Sequence, residues 1–248
     1  MNTVTPQPAA VEVDFTDADL TGQGGELFVA QMARRLGVAE DLERSPALKQ
    51  RQRGPSDAAH LLALSYNLAA GHGHLADLDA LADDPVRRAA MGLAAIPGSR
   101  RTGEYLARFG PEAVAALTGV ARRLTGRVLP AVARQEVAQR GFVPVFLDGT
   151  AIEVDGALFE GAGTGYNGAR QYWLHNAFVG GLWASGRFHP VGGDVAGGWD
   201  EQLARDIAGA LPGDAPVWVR ADFANYQTFP NFRNSNSGLT PMGHAHKL

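Results

Sequence analysis

The sequence predicts an α+β protein, helical in its first part with a small mixed core of strands and helix after it. Three observations carry this. Apolar residues recur at helical spacing from Gly24 to Arg140, the period becomes extended after Gly141, and the remainder reads as three strands, a helix and a fourth strand. With 248 residues, 45% of them hydrophobic, the chain can form one medium domain or two small ones around a real core. It has no cysteine, which excludes disulfides, thiolate metal sites and cysteine nucleophiles.

Residues 1–20 are polar, carry Pro6 and Pro8, and show no helical period, so they read as a flexible arm. Leu27, Phe28, Ala30, Met32 and Leu36 form an amphipathic helix that stops at Gly37. Ser56 suits the N-cap of the next helix, whose stripe is Leu61, Leu62, Leu64 and Leu68 and which Gly71 and Gly73 end. Short helices are expected over Leu75–Ala82 and Pro85–Leu93. Ser99 is expected to cap another helix, running to Phe109. Pro111 suits the first position of a long helix to about Arg140, bent at Pro130.

Beyond Gly141, strands are expected at Val143–Val154, Tyr172–Trp183 and Arg187–Val195, the last two joined by a turn at Ala184-Ser185-Gly186. A helix over Trp199–Leu211 and a strand over Pro216–Ala221 follow. Residues 223–248 hold four asparagines, no acidic residue and no period, and read as a disordered tail. The expected divisions are therefore 1–20, a helical region 21–140, a core 141–222 and the tail.

Charge is distributed unevenly. Residues 1–86 carry net −7, residues 87–140 net +7 and residues 141–248 net −4. A basic block between acidic ones suits either a nucleic-acid surface or ordinary solvated helix faces. Met1–Phe15 has no basic residue and no apolar run, and no stretch reaches the length of a membrane helix. A cytoplasmic protein without membrane contact is the expectation.

Two aspartates follow apolar runs: Asp148 after Val145-Phe146-Leu147, and Asp222 after Val217-Trp218-Val219-Arg220-Ala221. A carboxylate closing a buried strand needs a partner, and a divalent cation is one; two such carboxylates could hold Mg2+ for phosphoryl transfer. The alternative at Asp148-Gly149 is a plain turn. The loop Gly163-Thr-Gly165-Tyr-Asn-Gly168 matches a dinucleotide fingerprint only formally, because a strand and not a helix is expected after it. Tyr166 and Asn167 in that loop could meet a DNA backbone, though a structural turn is the simpler reading. His72/His74 and His244/His246 are too loosely spaced to suggest a metal site.

Phe146-Leu-Asp148-Gly-Thr, Glu160-Gly-Ala-Gly-Thr-Gly-Tyr166-Asn167-Gly168 and Val219-Arg220-Ala-Asp222 together resemble bacterial insertion-sequence transposases with a DDE catalytic domain, of the type described as transposase DDE domain group 1. The resemblance spans about residues 20–226. It implies a ribonuclease H-like core, here incomplete, with the first catalytic acid on the first strand and the second after the fourth. Asp148 and Asp222 would then be catalytic and metal-binding, serving Mg2+-dependent cleavage and joining of DNA strands. The third acid of that family, a later Glu, has no counterpart, since no acidic residue follows Asp222. The expectation is a C-terminally truncated transposase fragment, inactive on its own.

Substitutes for the third acid are poor on paper. Glu153 and Asp155 lie five and seven positions after Asp148, an odd offset that turns a strand residue to the other face. Glu160 lies past the strand and Glu201 at a helix start. For phosphate contacts the candidates are Arg87, Arg88, Arg100, Arg101, Arg108, Arg122, Arg123 and Arg127. Ser99-Arg100-Arg101-Thr102 is the most suggestive group, because helix N-terminal amides and guanidinium groups both favour phosphate. The partner implied is double-stranded DNA at insertion-sequence ends, with self-association through an open sheet edge. A second reading is a DNA-binding module that recognises element ends and competes with an intact transposase.

Overall fold

The computed structural model describes residues 22–45, 54–156, 158–165, 167–189, 207–211, 213 and 215–221. The expected arm, tail and most of the helix over Trp199–Leu211 lie outside them; of that helix only a short 3-10 turn, Ala208–Ala210, is described. The described residues form helices and a mixed sheet, an α+β architecture in two compact units, residues 1–124 and 125–248.

The first unit holds α1 (Glu26–Arg35), α2 (Val38–Glu43), α3 (Asp57–Ala69), α4 (Asp77–Asp83), α5 (Pro85–Met91), α6 (Ser99–Leu106) and the start of α7 (Pro111–Arg140). Ser56 caps α3 by accepting the Ala59 amide at 3.1 Å, and Asp84 does the same for α5 through the Arg87 amide at 2.9 Å. Ala30, Leu62, Tyr66, Leu78, Leu81 and Val120 are among its core residues. A buried bidentate ion pair ties α1 to α5: Arg87 Nε donates to Glu26 Oε2 at 2.7 Å and its Nη2 to Oε1.

Ser99 is not the cap of α6. Gly98 holds that position, and Ser99 donates both its amide (2.9 Å) and its hydroxyl (2.6 Å) to the carboxylate of Asp79 on α4. The cap is a long-range partner, which no local pattern encodes.

The second unit is built on β1 (Val143–Glu153), β2 (Gly163–Thr164), β3 (Arg170–Val179), β4 (Leu182–His189) and β5 (Val217–Ala221). The sheet runs β2-β3-β1-β5, with β4 also on β3. β3 is antiparallel to β1, β2 and β4, whereas β5 lies parallel to β1. The latter half of α7 packs on one face: Leu129 and Ala133 join Val143, Val145, Leu147, Ala177 and Val179 in the core. The division between units therefore falls within α7 and not at Gly141, because its two ends serve different cores. α7 continues through Pro130 as one helix.

The β3–β4 turn is at Gly180-Gly181, not at Ala184-Ser185-Gly186, which lies inside β4. Both glycines have positive φ, 53° and 82°, as a two-residue hairpin of right-handed twist demands. Gly180 also faces Glu136 and Val132 of α7 so closely that a Cβ would come within 2.7–2.9 Å of them. A register shift at Ala177/Phe178 leaves Ala184 of β4 as an extra residue, a β-bulge.

Candidate functional site

Alternation along β1 sorts its side chains between two faces. Val143, Val145 and Leu147 are buried against α7, while Phe146 and Asp148 are exposed on the opposite face. Asp148 does not close its strand, because β1 continues to Glu153. Nor is it buried, so no desolvation cost forces a cation upon it; the chemistry must come from what stands beside it.

One neighbour is β5. Its parallel pairing with β1 runs from Val143↔Val217 to Leu147↔Ala221, the residues immediately before Asp148 and Asp222. Asp222 itself lies outside the described residues. The other neighbour is β3, where Asn176 is the register partner of Asp148. Asn176 is a buried polar residue, at 8% exposure. It donates from Nδ2 to Thr150 Oγ1 at 3.1 Å and accepts at Oδ1 from Trp183 Nε1 at 2.9 Å. The indole approaches Gly186 so closely that a Cβ there would sit 2.6 Å from Trp183 Cζ2. Sequence reasoning passed over Asn176; its one signal is a His175-Asn176 pair inside an apolar strand, where a polar residue must find a partner.

Glu153 remains apart from Asp148. β1 pairs with β3 without a break from Val145 to Glu153, so the odd offset holds and Glu153 lies on the other face. There Glu153 accepts from Asn167 Nδ2 at 2.8 Å. Asn167 in turn accepts the Ala169 amide at 3.1 Å, a self-contained turn. Tyr166 and Glu201 lie outside the described residues. The glycine-rich loop leads into β3, a strand, as expected of a connector and not of a dinucleotide site. Among the described residues no three His, Asp or Glu side chains come together to hold a metal ion. Asp148 alone is one anionic ligand, too few for Mg2+, which gives up water reluctantly. The fit rests on Asp222 joining it.

The arginines divide. Arg87 is buried on Glu26 and is withdrawn from any phosphate-binding surface, a correction with a clear cause: a buried carboxylate needs a fixed cation. Arg88 is partly buried. Arg100, Arg101, Arg108, Arg122, Arg123 and Arg127 are exposed. Of these, Arg100 pairs with Glu104 at 3.1 Å and Arg123 with the buried Asp41 at 3.6 Å. The α6 N-terminus is also unsuited to phosphate, since Asp79 already takes the Ser99 amide and would repel a second anion. The hydrogen bonds from Ser99 hold the Asp79 carboxyl below the usual aspartate range.

No family model matches the chain, and neither a curated protein nor a solved structure does so. Among the described residues no helix is long and apolar enough to cross a membrane.

Proposed function

We propose that this is a transposase-related, DNA-binding chain whose Asp148 and Asp222 form a divalent-metal half-site on a ribonuclease H-like sheet. One observation carries the reading. The strand bearing Asp148 and the strand leading to Asp222 are sequence-distant yet adjacent and parallel, paired up to the residue before each aspartate. The resemblance requires that juxtaposition, and a turn at Asp148-Gly149 would not produce it. Of the four longer strands, the fourth lies beside the first, which supports this reading.

In this reading Asp148 and Asp222 would hold Mg2+, which when bound polarises a phosphoryl oxygen and activates water. The chain's own part is to set the first carboxylate on an open face, where a DNA strand has access. The exposed arginines of α6 and α7 supply sequence-independent attraction to the phosphate backbone. Two carboxylates offer a cation only weak anchorage.

Mn2+ titration followed by electron paramagnetic resonance tests the half-site. Asp148→Asn and Asp222→Asn should each abolish the weak binding expected of the unaltered chain. Equal Mn2+ binding by all three proteins would sink the assignment.

A further inference from the structure

We infer that the sheet face opposite α7 is the surface through which two copies of this chain associate, face to face and not through a strand edge. Strand pairing sets the residues of this face in rows. One row runs Arg220, Phe146, Phe178 and Trp183 across β5, β1, β3 and β4; another runs Thr150, Leu174 and Phe188. Neighbours in a row stand about 4.8 Å apart, close enough for the rings to form a band. The Trp183 indole lies over Gly186, where a Cβ would meet it at 2.6 Å, and so spans the gap between the two rows on β4. Trp218 extends the band beside the buried Pro144. Phe146, Trp183, Phe188 and Trp218 are exposed at 40%, 45%, 59% and 45%. Both indoles are held in place. Trp183 Nε1 donates to Asn176 Oδ1 at 2.9 Å, and Trp218 stacks on Phe142 with ring centroids 4.0 Å and planes 14° apart. Rings already fixed lose little freedom when a partner covers them.

Area and charge point to a second copy as the occupant. A whole aromatic side chain offers roughly 150–250 Å2, so these four rings together expose about 400 Å2. A stable interface takes about 800 Å2 from each partner, of which rather more than half is apolar. The four rings thus supply most of the apolar part of one side, and a two-fold axis brings the same amount from the other. Among the described residues, the charged side chains in these rows and the Asp148 row between them are Arg220 and Asp148, one of each sign. Such a face does not repel its own copy, whereas a nucleic acid would find no surplus of positive charge on it. A copy seated here covers Asp148, so the half-site proposed above, on which this inference does not rest, would be reached only in the monomer.

Sedimentation equilibrium of the full chain in EDTA, without DNA, tests this. The unaltered protein should pass from one to two chains per particle with a dissociation constant of about 10 μM or below. Phe146→Glu and Phe188→Glu, on different strands, should each weaken association at least about thirtyfold, the effect of losing one central anchor. Phe28→Glu, at an aromatic residue of α1 exposed at 73% and outside the sheet, should leave association unchanged. Near-ultraviolet circular dichroism checks the fold of each variant. If neither sheet variant folds, acrylamide quenching of the unaltered chain carries the test, since tryptophan quenching should fall as protein concentration rises. A chain that stays monomeric at about 100 μM overturns the inference. So does association that survives in both folded sheet variants, which would place the contact at a strand edge. Oligothymidylate bound by a monomeric chain, and lost in the same two variants, would assign the face to single-stranded nucleic acid instead. Mn2+ binding at Asp148 is read separately, so failure of the half-site leaves this result standing, and the reverse.

Discussion

Arg87 shows how one residue can look like a binding group and serve as structure. In the sequence it opens the basic block; in the fold it and Glu26 are each only 7% exposed and bind each other through two hydrogen bonds. Removing one partner strands a buried charge, so Arg87→Ala should cost about 3–5 kcal/mol of stability in urea unfolding. The double variant with Glu26→Ala should lose less than the two single losses combined, because neither charge is then left alone. An Arg87→Ala protein as stable as the unaltered chain would refute the pair. Asp79 makes a second residue-scale prediction. Its folded pKa lies below the ordinary aspartate value of 3.8, chiefly through the Ser99 hydroxyl and then its amide. A depressed carboxylate contributes stability that is complete above the unfolded value and is lost as pH falls through the folded one. Asp79→Asn should therefore flatten the decline in melting temperature below about pH 4. An unchanged acid limb would show that the Ser99 contact contributes nothing.

At the scale of elements, the β3–β4 hairpin depends on two glycines that are not equivalent. Gly180 and Gly181 both need positive φ, but a Cβ at Gly180 meets Glu136 and Val132 whereas one at Gly181 meets nothing within 4 Å. Gly181→Ala should cost roughly 1 kcal/mol of backbone strain, and Gly180→Ala clearly more, as chemical denaturation would reveal. Equal losses would mean that α7 yields freely. The same hairpin marks the limit of what was legible in advance. Helix starts with local signals were readable: Ser56 caps α3 and Pro111 opens α7, because capping is a matter of a few neighbouring residues. The extended period after Gly141 located β1 and β5 nearly to the residue. The turn was misplaced because Ala184-Ser185-Gly186 and Gly180-Gly181 are both turn-like in isolation, and packing against α7 favours the second. Partnerships across the fold were not readable at all. Asp79 with Ser99, Glu26 with Arg87, and Asn176 with Trp183 join different elements, and no spacing announces them. For the candidate site, the strand that carries Asp148 was legible, while the exposure of Asp148 and its neighbours across the sheet required the fold.

For the molecule as a whole, the proposed DNA binding would have to draw on an uneven charge distribution. The net +7 of residues 87–140 exceeds what phosphate contact can use, since Arg87 is buried and Arg100 and Arg123 are engaged with carboxylates. If the proposed duplex binding holds, it should weaken as salt rises, and replacing the exposed Arg101 and Arg108 together with Ala should shallow that slope, since with fewer phosphate contacts fewer counterions are released on binding. Cleavage is a separate matter. Two-metal phosphoryl transfer places cations about 3.5–4 Å apart and needs carboxylates for both. Glu153 faces away on β1 and is bound by Asn167, and residues 223–248 offer no acid. The chain incubated with duplex DNA and Mg2+ or Mn2+ should therefore bind without cutting, as denaturing gel electrophoresis would show. Cleavage that vanished on Asp148→Ala would overturn this and require a carboxylate set aside above to reach the half-site. Glu160, on the loop before β2, and Glu201 are the two acids whose replacement by Gln would then identify it, for Glu153 could arrive only by breaking the β1–β3 pairing that holds Asp148 in register with Asn176.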